Sequence, residues 1–283
     1  MRIAIIGATG MLGRPVTHEL IRAGYRVRVV ARDITKTKRL FPHVEVVPGD
    51  LRNKAGLVDA LRGVDVVYLS LSIKQTEKQT DFHTEEEGLA SLIDVARQSG
   101  VDRIGYLSSI VMRYQGMNGF DWWVFRVKHE AVRIIKASGI PYSIFYPSNF
   151  METLNGTQRL DRFILLVGRS TVRPWYVSAY GKQVARAFGR ASDQNQEYVI
   201  QGPEAVTQHE AANRFVSAYK DEKLSVLTAP PFLMQFGRPF SAQADYGWYI
   251  TEALNNYPEQ FEAERTWAEL GKPVTTLETF ARG

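Results

Sequence analysis

The sequence predicts an α/β fold: a doubly wound parallel sheet with a smaller, mainly helical C-terminal lobe. Three observations predict it. The chain opens on a strand, three glycines at spacing three and a helix; β-α-β alternation then runs to about residue 150; beyond that the alternation loosens. With 283 residues, 45% hydrophobic and 23% charged, it can bury one large core or two unequal lobes.

The elements follow in order. Arg2–Ile6 is a short apolar run that reads as a buried parallel strand. Gly7, Gly10 and Gly13 come next and remove the side chains that would block a tight turn and close backbone approach to a pyrophosphate. The helix expected over 11–22 has apolar positions at Leu12, Val16, Leu20 and Ile21, and its positive N-terminal end favours an anion. Glycines between a strand and a helix are a much stronger signal than glycines alone. Further strands are expected at 26–31, 44–47, 64–69, 103–107 and 142–146, and helices at 36–40, 54–61, 84–99 and 121–138. Gly63, Gly100 and Gly139 fall at helix C-caps. Right-handed crossovers between parallel strands then place a ligand crevice beyond the strands' carboxyl ends, where Gly7, Arg32, Asp50, Ser70 and Ser108 would gather.

After residue 150, short strands are expected at 175–180 and 197–200 around a helix at 183–191, part of this region returning to the main sheet. Thr207 to Glu210 fits a capping box that opens an amphipathic helix reaching about Tyr219, and Thr275 to Glu278 fits another. The aromatic-rich stretch 232–267 reads as helical. No repeat or low-complexity linker divides the chain, so residues 1–150 are expected to form the dinucleotide-binding core and 151–283 a lobe grown from it.

Composition narrows the function classes. The net charge is +5 and the pI 9.3, yet the basic residues are interleaved with acids and form no nucleic-acid module, so no nucleic-acid partner is expected. Apolar runs fall short of the roughly 18 residues of a membrane span, and a cytoplasmic protein with no membrane partner is expected. The absence of cysteine removes disulfides and thiolate chemistry, and His18, His43, His83, His129 and His209 show no metal-ligand spacing. No metal is assigned.

Several short motifs stand in one order: Gly7-Ala8-Thr9-Gly10-Met11-Leu12-Gly13; Gly49-Asp50-Leu51; Leu107-Ser108-Ser109; Lys128-His129-Glu130-Ala131; and Ser138-Gly139-Ile140-Pro141-Tyr142 leading into Pro147-Ser148-Asn149-Phe150-Met151-Glu152. Gly202-Pro203-Glu204-Ala205-Val206-Thr207 and residues 275–280 continue the series. With them, over nearly its full length, the chain resembles the NmrA-like branch of the atypical short-chain dehydrogenase/reductases. That branch includes quinone and phenylpropanoid reductases and cofactor-sensing regulators. The resemblance implies a Rossmann core, a C-terminal substrate lobe and a nicotinamide dinucleotide lying across the strand ends.

Cofactor choice turns on the end of the second strand, where a carboxylate would favour NAD. Here Ala31 is followed by Arg32, which can make a planar, charge-assisted contact to a 2′-phosphate, with Lys36 a second cation one turn on. NADP is therefore expected; Asp33 leaves NAD open. The resemblance places Thr9, Met11 and Leu12 with the glycines at the phosphates, Asp50 and Leu51 at the adenine, Ser70 and Leu71 along the crevice, and Tyr146, Pro147, Ser148, Asn149 and Phe150 around the nicotinamide. Asp50 serves equally as a turn residue, and Pro147 as a strand terminator.

Short-chain dehydrogenases typically carry a Tyr four residues before an active-site Lys. Counting back from Lys128 gives Val124, so the lysine is kept and the phenol is missing. The resemblance makes Lys128 the catalytic candidate and a cofactor contact; the competing reading is a surface lysine in an exposed salt bridge. Ser108 either orients a carbonyl or the nicotinamide, or caps backbone. Trp122, Trp123, Phe150, Trp175 and Tyr176 either wall a pocket for a flat, aromatic small-molecule substrate or pack the core. The expected activity is NADPH-dependent reduction of a small carbonyl, quinone or enone; the competing class is a non-catalytic NAD(P)-sensing regulator. A sugar-nucleotide epimerase is the weaker third option, because such relatives retain the Tyr and Lys pair.

Overall fold

The computed structural model describes residues 1–178, 180–190 and 194–283. Its first half contains strands β1 (Arg2–Ile6), β2 (Arg26–Ala31), β3 (Glu45–Pro48), β4 (Val66–Leu69), β5 (Arg103–Leu107) and β6 (Tyr142–Pro147), alternating with helices α1 (Gly13–Arg22), α2 (Ile34–Leu40), α3 (Lys54–Leu61), α4 (Glu87–Gln98) and α5 (Trp123–Ala137). There follow β7 (Arg159–Leu160), β8 (Phe163–Val167), α6 (Tyr180–Gly189), β9 (Gln196–Ile200), α7 (Gln208–Ala218), β10 (Ser225–Ala229), α8 (Pro231–Gly237), α9 (Ala242–Asn256), α10 (Glu264–Leu270) and α11 (Leu277–Ala281).

Seven strands form one parallel sheet in the order β3-β2-β1-β4-β5-β6-β9. Strand order reverses between β1 and β4, and this switch point sets the crevice. Alternate side chains divide the core in two. Ala4, Ile6, Val67, Leu69, Ile104 and Ile144 pack with Leu89, Leu92, Val127 and Ile135 of α4 and α5. Ile3, Ile5, Val66, Tyr68 and Phe145 pack with Val16, Leu20, Val184 and Phe188 of α1 and α6.

Beyond β6 the structure departs from the expectation in three places. The strand expected at 175–180 does not form: Trp175 and Val177 make isolated bridges to Ala205 and Phe150, and Tyr180 opens α6 instead. The helix expected at 183–191 therefore starts earlier, and its last residue, Ala191, lies outside the described residues. The lobe also holds a three-stranded sheet, β10-β8-β7, that local pattern did not announce. Its central apolar run, Phe163–Val167, pairs in parallel with a strand about sixty residues later, a pairing no short window contains.

Thr207 forms the expected capping box with Glu210. The second cap shifts by one residue. Thr276, not Thr275, accepts from the Thr279 amide, and the Glu278 carboxylate pairs with the Arg214 guanidinium at 2.5 and 3.0 Å. That ion pair holds the Glu278 carboxyl down at about 2.

Candidate functional site

The site begins at the carboxyl end of β1. Gly7 has φ +90°, and a Cβ there would sit 2.1 Å from the Ser70 carbonyl oxygen at the end of β4. A Cβ on Gly13 would sit 2.1 Å from the Gly7 carbonyl oxygen. Both glycines are thus required by the fold itself, which closes β1, the loop and α1 onto one another. Gly10 differs: a Cβ there would meet only the Gly7 carbonyl, at 3.3 Å. No side chain caps the N-terminus of α1; the Arg14 amide donates to the Gly10 carbonyl at 3.0 Å, and Pro15 carries no N–H, so the Gly13 amide and the loop before it face the cavity end.

A cavity of about 610 Å³ lies over this loop and the ends of β1 to β4. It brings together Gly7, Thr9, Gly10, Arg32, Lys36, Asp50, Leu51, Ser70 and Leu71. Arg32 and Lys36 are exposed, and among the described residues neither side chain has a hydrogen-bond or ion-pair partner. Asp33 is occupied, since its carboxylate caps α2 by accepting from the Lys36 amide at 2.9 Å. Asp50 accepts from the Arg52 amide at 3.0 Å, shaping the turn after β3. One wall was not anticipated from the sequence: Lys74, Glu77, Phe82 and Thr84 come from the long connection between β4 and α4.

The remaining candidates stand outside this cavity. Met11 and Leu12 lead into α1 beside Gly13, and Met11 packs toward the lobe, where a Cβ on Gly156 would meet its sulfur at 3.1 Å. Ser108 is buried, with its hydroxyl 3.0 Å from the Met112 sulfur. Tyr146 donates to Glu197 at 2.8 Å under the Arg113 guanidinium; burial and then that carboxylate push its hydroxyl up from the ordinary tyrosine value. Pro147 ends β6 in the core, and Ser148 donates to the buried carboxylate of Glu259 at 2.8 Å. The Asn149 carbonyl accepts from the Val177 amide, and Phe150 packs edge-on against Tyr180.

Lys128 is neither free nor in an exposed salt bridge. Its ammonium donates to Glu85 at 2.8 Å, with 15% of the lysine side chain and none of the glutamate side chain exposed. Tyr106 donates to the same Glu85 oxygen at 2.7 Å; burial, followed by the Glu85 charge, pushes the Tyr106 hydroxyl well above its ordinary value, so it remains a neutral donor. Val124, at the position of the missing tyrosine, is buried, as is Tyr114.

The five aromatics expected to form one wall are dispersed. Trp122 and Trp123 border a second cavity of about 210 Å³, together with Tyr246, Glu77 and Asp245. Trp175 packs on Phe261, Tyr176 lies in the lobe core, and Phe150 lies on Tyr180. Glu77 lines both cavities, so the two adjoin. Among the described residues no His, Asp and Glu cluster could hold a metal ion, and no helix is long and apolar enough to cross a membrane.

Comparison with known proteins decides the family. A family profile described as NAD(P)H-binding matches residues 7–163, starting at the first loop glycine. The chain belongs to that NAD(P)H-binding family. It is 30% identical over 287 aligned positions to the (4-alkanoyl-5-oxo-2,5-dihydrofuran-3-yl)methyl phosphate reductase of Streptomyces griseus subsp. griseus, covering 99% of this chain and 93% of that one. Photosystem II assembly factor Ycf39 of Cyanophora paradoxa is 22% identical over 90% of this chain and 79% of its own. Among solved structures, the Escherichia coli NADPH-dependent quinone oxidoreductase complexed with NADPH superposes with a TM-score of 0.76 at 19% identity, over 99% of this chain and 98% of that one. These matches agree with an NmrA-like atypical short-chain dehydrogenase/reductase. The family's cofactor is a nicotinamide dinucleotide, and the glycine loop, the uncapped α1 and the two free cations fit one.

Proposed function

We propose that the protein is an NADPH-dependent reductase of a small carbonyl, quinone or enone. The observation that carries this reading is the adjoining pair of cavities, one with glycine-loop and cationic walls and the other aromatic, meeting at Glu77. A reductase relative at 30% identity over 99% of the chain supports it. The bound dinucleotide supplies the hydride. Residues 7–13 hold its pyrophosphate through backbone amides, Arg32 and Lys36 hold the 2′-phosphate, and Leu51 borders the adenine. Lys128 orients the nicotinamide end from α5. Trp122, Trp123 and Tyr246 offer flat apolar walls that exclude water from a planar acceptor. In this reading residues 1–150 hold the cofactor and 151–283 shape the substrate side.

A second reading is a cofactor-responsive regulator without turnover. Two observations favour it: buried Val124 stands where the family's tyrosine is expected, and one relative is named as an assembly factor. The two readings separate in one assay. Purified protein with NADPH is presented with a panel of quinones, enones and small carbonyls, and NADPH absorbance is followed. The reductase reading expects acceptor-dependent oxidation with at least one compound. Absence of turnover across the panel, with NADPH bound, rejects it in favour of the regulator.

A further inference from the structure

Near its end, the connection between β4 and α4 carries four residues, 82–85, whose side chains divide between two neighbours. Phe82 and Thr84 line the dinucleotide cavity. His83 and Glu85, in the alternate positions, are buried and engage α5: the His83 ring stacks on Trp123 at 4.9 Å, and Glu85 accepts from Lys128 at 2.8 Å. One short segment therefore touches both the cofactor cavity and the helix that carries the candidate lysine.

Glu85 is held by little else. Its Oε1 accepts from both Lys128 and Tyr106, while its Oε2 is buried with no hydrogen-bond partner among the described residues. A buried carboxylate without its cation is strongly disfavoured, so the pair fixes the ammonium in place as firmly as it fixes the carboxylate. Handing the Lys128 proton to a substrate would leave Glu85 buried and uncompensated. The ammonium thus serves better as a stationary charge and donor than as a source of protons.

We propose that Glu85 is the positioning residue for Lys128, and that it ties the lysine to the segment against which the dinucleotide seats. This inference rests on the reductase reading for its kinetic test, though not for its binding test. A residue that acts only through its partner gives a non-additive double-mutant cycle.

Wild type, Glu85→Gln, Lys128→Met and the double variant are compared with a quinone acceptor at saturating NADPH. In each single variant kcat is expected to fall at least about ten-fold with the quinone KM little changed, and in the double variant no further than in Lys128→Met. Multiplying losses, or wild-type kcat in Glu85→Gln, overturn the proposal. A merely structural Glu85 would lower the thermal midpoint equally with and without Lys128 and leave kcat of the folded protein intact, which also overturns it. Should Glu85→Gln fail to fold, Tyr106→Phe replaces it. That change removes one of the two anchors of the carboxylate, and its smaller kcat loss is expected to vanish in the Lys128→Met background. If wild type reduces no acceptor, the reductase reading fails by itself, and the same cycle is read as NADPH affinity by calorimetry. Non-additive losses of affinity sustain the positioning role, and independent losses refute it.

Discussion

Glu152 follows β6 at the start of the lobe and carries a pH signature that stability measurements can read. Burial pushes its carboxyl up from the ordinary glutamate value of 4.5 to about 7, opposed only by its own backbone amide, and its Oε2 is buried without a partner among the described residues. The charged group nearest in sequence, Arg159, is turned toward Glu222 and Tyr219. A pKa raised on folding means that the native state holds a proton the unfolded chain has released. The stabilisation is full below pH 4.5 and is lost as pH rises through 7. At 1.36 kcal/mol per unit, the loss across that window is about 3 kcal/mol. Glu152→Gln keeps the shape and removes the titration, so the variant should gain about 3 kcal/mol on wild type between pH 4.5 and pH 8. Urea unfolding of both proteins across that range isolates the difference, because every other group titrates equally in the two. Parallel stability profiles, or a variant that loses ground as pH rises, would show that burial does not hold the Glu152 proton.

The loop glycines differ in how closely the fold packs against them. Gly10→Val should abolish NADPH binding by calorimetry while lowering the thermal midpoint less than a substitution at Gly13 does, since a Cβ at Gly10 would come no nearer than 3.3 Å to the Gly7 carbonyl oxygen. Gly13→Ala should destabilise the fold even without ligand, because its Cβ would lie 2.1 Å from the Gly7 carbonyl oxygen; an unchanged midpoint would count against that packing.

Much of this architecture was legible because its signals are local. The strand Arg2–Ile6 and the helix Lys54–Leu61 are bounded by residues whose roles do not depend on distant partners: Gly7 needs its positive φ, and Asn53 caps α3 by accepting from the Gly56 amide. The gathering of Gly7, Arg32, Asp50 and Ser70 around one cavity was legible for the same reason, as topology alone brings strand ends together. What escaped depends on remote neighbours. The three-stranded sheet needs Ser225–Ala229 to find Phe163–Val167, and its β7–β8 hairpin turns on Asp161 with φ +51°. Glu85 was hidden in Glu85-Glu86-Glu87, which reads as a solvated helix start; only the packing of Tyr106 and Lys128 singles out the first of the three. Conversely, the Tyr146 hydroxyl inside β6 and the Ser148 hydroxyl just after it are engaged by Glu197 and Glu259, carboxylates from segments that sequence proximity could not bring to them.

We propose that the cavity beside Gly10 takes a nicotinamide dinucleotide whose 2′-phosphate meets Arg32, a cation with no partner among the described residues and with Asp33 committed to its cap. Calorimetric titration of NADPH and NADH into wild type and Arg32→Ala tests it most directly. Removing a charge-assisted hydrogen bond to that phosphate costs about 1.5 to 3 kcal/mol, or roughly ten- to hundred-fold in affinity. NADPH should therefore bind wild type more tightly than NADH by about that ratio, and Arg32→Ala should erase the preference by weakening NADPH alone. Tighter NADH binding by wild type, or equal weakening of both dinucleotides in the variant, would mean that Arg32 does not meet a 2′-phosphate.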